Sequence, residues 1–220
     1  MAVACLLLLA PLTAFAGNEP GSPRLRLTAA DNRRARSALI LRSDLIPGFR
    51  SAPASKGAPG IPHCADYPGD RSRVIITGEA QSSFLLGRDT FSGRNTIGSR
   101  TIFFKSYSDL DRYWRLTVKP RYITCGTELY ASGLPPGIQG KTLLARPIPL
   151  GPTGAEKGVA FRSIFQLSDG SNTVDLYDTV VFIRSGRAMS MILVHYHDQP
   201  CECQTGLARL LALRLIKATH

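Results

Sequence analysis

The sequence predicts an α+β domain: one antiparallel sheet of about five to six strands covered by helices, in the order α-β-β-α-β-β-β-β-α. Three observations carry this. The stretch 157–197 splits into apolar runs parted only by SDGSN and RSGR, and gaps this short join antiparallel neighbours. Helical patterns stand apart from these runs, after residue 28, around 107–132 and after 203. The runs near 74 and 102 are rich in β-branched and aromatic residues and are bounded by turn residues.

Each element has a local reason. Residues 17–27 are Gly- and Pro-rich and read as a flexible lead-in. Thr28 followed by Asp31 has capping-box spacing, and Ala35, Ala38, Leu39 and Arg42 share a helical stripe. That helix must stop before Pro47, and Gly48 marks a turn. Residues 51–63 are a loop by composition. RVIITGEAQSSFLL follows as a strand, with Val74, Ile75 and Ile76 buried. After a polar connector, TIGSRTIFFKSY is the next strand, its apolar content Ile97, Ile102, Phe103 and Phe104.

Ser108 and Asp111 repeat the capping spacing, and Leu110, Tyr113, Trp114 and Thr117 recur as one helical face. Pro120 breaks that helix because it lacks an N–H and crowds the preceding turn. A second piece, 121–132, carries Cys125 and Leu129. KTLLARPIPL is a strand whose prolines place it near an edge. Leu207, Leu210, Leu211, Arg214 and Leu215 line a last helix.

Length and composition suit one domain, 28–220: the chain has 220 residues, 44% hydrophobic and 20% charged, too apolar for disorder. MAVACLLLLAPLTAFAG reads as a signal peptide, 1–16, cut after Ala16. It lacks a basic n-region, and Cys5 precedes the apolar run, so it does not fit a lipidation signal. No later segment is long and apolar enough to span a bilayer as a helix. A secreted or cell-surface location follows as the expectation.

The formal charge of +11 favours acidic partners. Arg34, Arg50, Arg73, Arg88, Arg100, Arg112, Arg146 and Arg184 nevertheless form no block. Phe103, Phe104, Tyr113, Trp114, Phe161, Phe165, Tyr177 and Phe182 sit in apolar runs, as core and not as a stacking platform, so no nucleic acid is expected. Enzyme signatures are missing: no G-x-S-x-G, S-x-x-K, H-E-x-x-H or phosphate loop occurs. Asp175 and Asp178 would face opposite sides of a strand, Glu79 and Glu128 stand alone, and Asp198 and Glu202 follow the last strand. The reading is non-catalytic and without a cofactor.

The densest chemistry is HYHDQPCECQ, 195–204. His195 and His197 share a strand face with Met189, Met191 and Leu193. With Cys201 and Cys203 they make a conceivable zinc or copper set, although H-x-H-x₃-C-x-C is not a finger spacing. Export into an oxidising compartment favours disulfides among Cys64, Cys125, Cys201 and Cys203, with three connectivities open. A bond between Cys201 and Cys203 requires the backbone to turn between them.

LILRSDLIPGFRSAP, then a cysteine, VIITGEAQSSF and a helix with TVKPRYITC resemble small secreted actinobacterial proteins. The element order is similar to the sandwich of the photosystem PsbP and Mog1 proteins, and to the extracellular sensor domain of mycobacterial PknH-type receptor kinases. The likeness would span about residues 28 to 218. It implies a non-enzymatic domain with a concave sheet face or cleft for a ligand, and it favours a disulfide of the Cys64–Cys125 separation. This chain has no kinase domain. The function expected is a disulfide-stabilised sensor or ligand-binding domain for an unknown small molecule or anionic envelope ligand. Two alternatives are an extracellular Zn/Cu protein using His195, His197, Cys201 and Cys203, and a basic cell-surface protein binding anionic polymer.

Overall fold

The computed structural model describes residues 21–53, 60–87, 95–197, 201 and 203–220. Residues 1–16, read as a signal peptide, and Arg88, Asp198 and Glu202 lie outside these residues. The described chain forms an eight-stranded sheet ordered β1-β3-β4-β8-β7-β6-β5, with β2 also on β3. The strands are β1 (Arg24–Leu25), β2 (Arg50–Ser51), β3 (Ile75–Leu86), β4 (Asn95–Phe104), β5 (Gln139–Ile148), β6 (Lys157–Ser168), β7 (Thr173–Ser185) and β8 (Ala188–His197). The helices are α1 (Ala29–Ser37), α2 (Tyr107–Thr117), α3 (Arg121–Ser132) and α4 (Gln204–Thr219). This is the α+β arrangement expected, with two-residue strands added at one edge. Arg24 and Leu25, inside the stretch read as a flexible lead-in, pair in parallel with Ile75 and Ile76.

Helices cover both faces. On one side α1 and α4 bury Ile97, Phe103, Val181, Ile183, Ile192 and Val194. On the other, α2 and the start of α3 bury Ile102, Phe104, Val180, Phe182, Met189 and Met191. Strand side chains alternate between faces, so Val180–Ile183 serve both cores in turn. That is why β7 and β8 read as unbroken apolar runs instead of alternating ones. Leu110, Tyr113, Trp114 and Thr117 of α2 are buried as the helical period predicts.

Two helix starts differ from the sequence reading. Thr28 caps α1 by accepting from the Asp31 N–H at 3.1 Å. The Asp31 carboxylate does not complete the capping box; it pairs with Arg187 at 2.6 Å. At α2 the cap is Ser106, two residues earlier than expected. Its hydroxyl accepts from Asp109 N–H at 3.1 Å and donates to the Asp109 carboxylate at 2.7 Å. Asp111 instead pairs with Arg184 of β7.

Helix α1 also ends at Ser37, well before Pro47. The sheet captures the next residues: Ile40 N–H donates to Ser99 Oγ at 3.0 Å, and Thr101 Oγ1 donates to Ala38 C=O at 3.0 Å. Buried hydroxyls inside strands thus replace the helical hydrogen bonds of 38–40. Arg214, read as part of the apolar stripe, pairs with Asp44 at 2.5 Å and donates to Leu39 C=O at 2.7 Å.

Candidate functional site

Among the described residues, two places hold candidate binding chemistry. The first is the end of β8. The two-residue turn Gly186–Arg187 joins β7 to β8, and Gly186 takes φ +54°, a left-handed conformation suited to glycine. Counting back from this turn puts Asp178 directly across from His195. Their side chains meet at 2.7 Å, His195 Nδ1 to Asp178 Oδ1. His195 Nε2 lies 3.3 Å from His197 Nε2, and the ring centroids are 5.1 Å apart. The His197 N–H donates to Asn95 Oδ1 at 3.1 Å.

Burial acts to lower the His195 pKa, but the charge and hydrogen bond of Asp178 outweigh it and raise the imidazole above its ordinary value. Tyr122 and Tyr130 of α3 feel the same carboxylate. Their phenols are raised first by burial and then by Asp178, Tyr130 to about 12. Nearby on this face Arg100 pairs with Glu79 at 2.9 Å.

Cys201 and Cys203 take another course. They are bonded to each other, the chain having turned into α4 with Cys203 as its N-cap. Both pack against the core beneath α1 and α4, whereas the histidines continue the Met189–Met191 face toward α2 and α3. The four-ligand His/Cys set is therefore divided between the two sides. Among the described residues no group of three or more His, Cys, Asp or Glu is arranged to hold a metal ion.

The second place is the loop before β3. Cys64 is bonded to Cys125 of α3. Tyr67 is tied to Cys64 by backbone hydrogen bonds of 2.9 and 3.1 Å, and its hydroxyl donates to Thr117 C=O. These ties fold residues 63–72 around a cavity of about 540 Å³ lined by His63, Cys64, Tyr67, Asp70 and Arg71. Arg71 is only 4% exposed. Its Nη2 lies 2.9 Å from His63 Nε2, and its guanidinium sits 5.8 Å from the centre of the Tyr113 ring. Its Nε has no hydrogen-bond partner, and among the described residues no carboxylate pairs with it. The Asp70 carboxylate beside it is committed to the Ser72 N–H at 2.8 Å.

Sequence reasoning named the histidines and cysteines but missed Arg71, which looks in GDRSRV like any other surface arginine. It also listed Asp178 only as a stray carboxylate. The RSGR turn contained the information to pair Asp178 with His195, since a two-residue turn sets register.

No family model and no curated protein matches the chain. Among solved structures it is similar to LpqN of Mycobacterium tuberculosis, described as involved in cell envelope biogenesis, at 14% identity over 89% of this chain and 84% of that one, TM-score 0.33. It is similar to the Rv0999 ortholog of Mycobacterium smegmatis at 14% identity over 86% and 97%, TM-score 0.41. The Ran-binding protein Mog1p of Saccharomyces cerevisiae follows at 15% identity over 80% and 84%, TM-score 0.28. Mog1p and two mycobacterial proteins thus stand among its structural neighbours, at distances that carry no function with them.

Proposed function

We propose that this chain is an exported, non-catalytic binding domain that holds an anionic small molecule in the cavity beside Cys64. The supporting observation is Arg71. A buried guanidinium without a carboxylate is costly, because charge leaves water without compensation. An arginine also offers a planar fork suited to carboxylate or phosphate. The cavity falls within the usual size range of small-molecule sites. Export rests on the reading of residues 1–16 as a signal peptide and 17–27 as a lead-in to one domain, 28–220; the disulfides fit it. Among the described residues no helix is long and apolar enough to cross a membrane.

The test is calorimetric titration of the oxidised protein with inorganic phosphate, glutarate and the neutral glutaramide, beside Arg71→Gln. At least one anion should bind with the neutral analogue silent, and Arg71→Gln should weaken that binding at least ~10-fold. Binding unchanged by Arg71→Gln, or no anion binding at all, would sink the reading.

A further inference from the structure

We propose that His195 and His197 form a two-imidazole site for a divalent transition-metal ion, zinc or copper, oriented by Asp178. This site is separate from the Arg71 cavity and does not depend on it. It also differs from the His/Cys set suggested by the sequence, because it uses neither cysteine.

The distances carry the argument. A metal–imidazole bond of about 2.0–2.1 Å with tetrahedral angles places two ligand nitrogens about 3.3 Å apart. The two Nε2 atoms are 3.3 Å apart. The centroids are farther apart, at 5.1 Å, so the rings converge on their Nε2 ends. With each nitrogen about 1.2 Å from its ring centre, a linear N–H···N hydrogen bond of the same length would instead set the centroids about 5.7 Å apart.

The outer contact fits as well. Metal-bound histidines usually give their other ring N–H to a carboxylate, which fixes the tautomer and the ring orientation. Asp178 does this for His195 at 2.7 Å, leaving the Nε2 lone pair for the ion. The side chains of His195 and Asp178 are 21% and 28% exposed, so an ion has access. Imidazole nitrogen without thiolate selects zinc or copper(II) over soft copper(I).

Tag-free mature protein is titrated with ZnCl₂ and with CuSO₄ by calorimetry. The imidazole nitrogens of the ¹⁵N-labelled wild type are followed by long-range ¹H–¹⁵N correlation during the ZnCl₂ titration. One equivalent should bind, with the Nε2 resonances of His195 and His197 moving while His195 Nδ1 keeps its proton. His195→Asn and His197→Asn should each lose at least ~100-fold in affinity, and Asp178→Asn about 10–100-fold. His220→Asn, at the exposed end of the chain, should leave the metal affinity unchanged. No movement at these two Nε2 atoms, or wild-type affinity in either single histidine variant, overturns the site. The spectra of the wild type decide the matter even if a variant fails to fold.

Discussion

Asp31 and Arg187 are 156 residues apart in the chain and 2.6 Å apart in the fold. The arginine comes from the β7–β8 turn and reaches the first turn of α1. There it also donates to the Phe104 carbonyl at 2.6 Å and the Thr77 hydroxyl at 3.1 Å. One guanidinium thus links helix, hairpin and two strands, against a carboxylate that is only 7% exposed.

This pair predicts acid sensitivity. The Arg187 hydrogen bond is the main cause of the lowered Asp31 pKa, with burial opposing it. A depressed folded-state pKa stabilises above the unfolded value, and the contribution is lost as pH falls through the folded one. Asp31→Asn should therefore cost about 2–4 kcal/mol at neutral pH. The gap between variant and wild type should close as pH falls below the ordinary carboxylate range and the wild-type carboxylate protonates. Urea denaturation at stepped pH measures it, and a pH-independent gap would contradict the account.

Arg71→Met separates stability from function. Removing an uncompensated buried cation should leave the melting temperature unchanged or raise it, while anion binding disappears. A large loss of thermal stability in the ligand-free variant would show instead that Arg71 is structural.

Two glycines should respond oppositely to alanine. A Cβ on Gly78 would lie 2.4 Å from the Asp31 carbonyl carbon, where α1 meets the register irregularity near the start of β3. Gly78→Ala should cost about 2–3 kcal/mol, since backbone must move. Gly126 lies within α3 with nothing within 4 Å of a Cβ. There alanine should stabilise by about 0.5–1 kcal/mol through helix propensity. Thermal melts of the two variants check both signs.

The two disulfides should also differ in worth. The Cys64–Cys125 bond spans 61 residues, and the chain-entropy account assigns such a loop about 4 kcal/mol. Cys201–Cys203 spans 2, which by the same account gives about 1–2 kcal/mol. Paired Cys→Ala variants under denaturant should show this ranking. Equal losses would mean that the short bridge acts on the native state by holding the start of α4.

Much of the fold was legible because its signals are local. Pro120 does divide α2 from α3, and the second helix occupies 121–132 as read. Pro147 does lie on an edge strand, β5. The capping error at α2 came from ambiguity within SYSDLD. Ser106/Asp109 and Ser108/Asp111 have the same spacing, and only Asp109, which accepts the Ile75 N–H at 3.1 Å, meets the neighbouring strand. The early stop of α1 was hidden because the hydroxyls that capture residues 38–40 come from Ser99 and Thr101 of β4.

By itself, then, the sequence determined the order of the long strands and the helices and most of the residues that face inward. Once the structure fixes Gly186–Arg187 as the turn within RSGR, its register places Asp178 opposite His195. Periodicity, proline and turn length act over a few residues, so they can be read without the rest of the chain. Only the tertiary structure decided that Asp31 serves Arg187 instead of its own helix, that Arg71 is buried against Tyr113, and that the cysteines of HYHDQPCECQ turn away from its histidines. Those outcomes depend on which distant surfaces pack together, and a charged or sulfur-bearing side chain has the same local sequence whether it ends in solvent, in a core or against a partner.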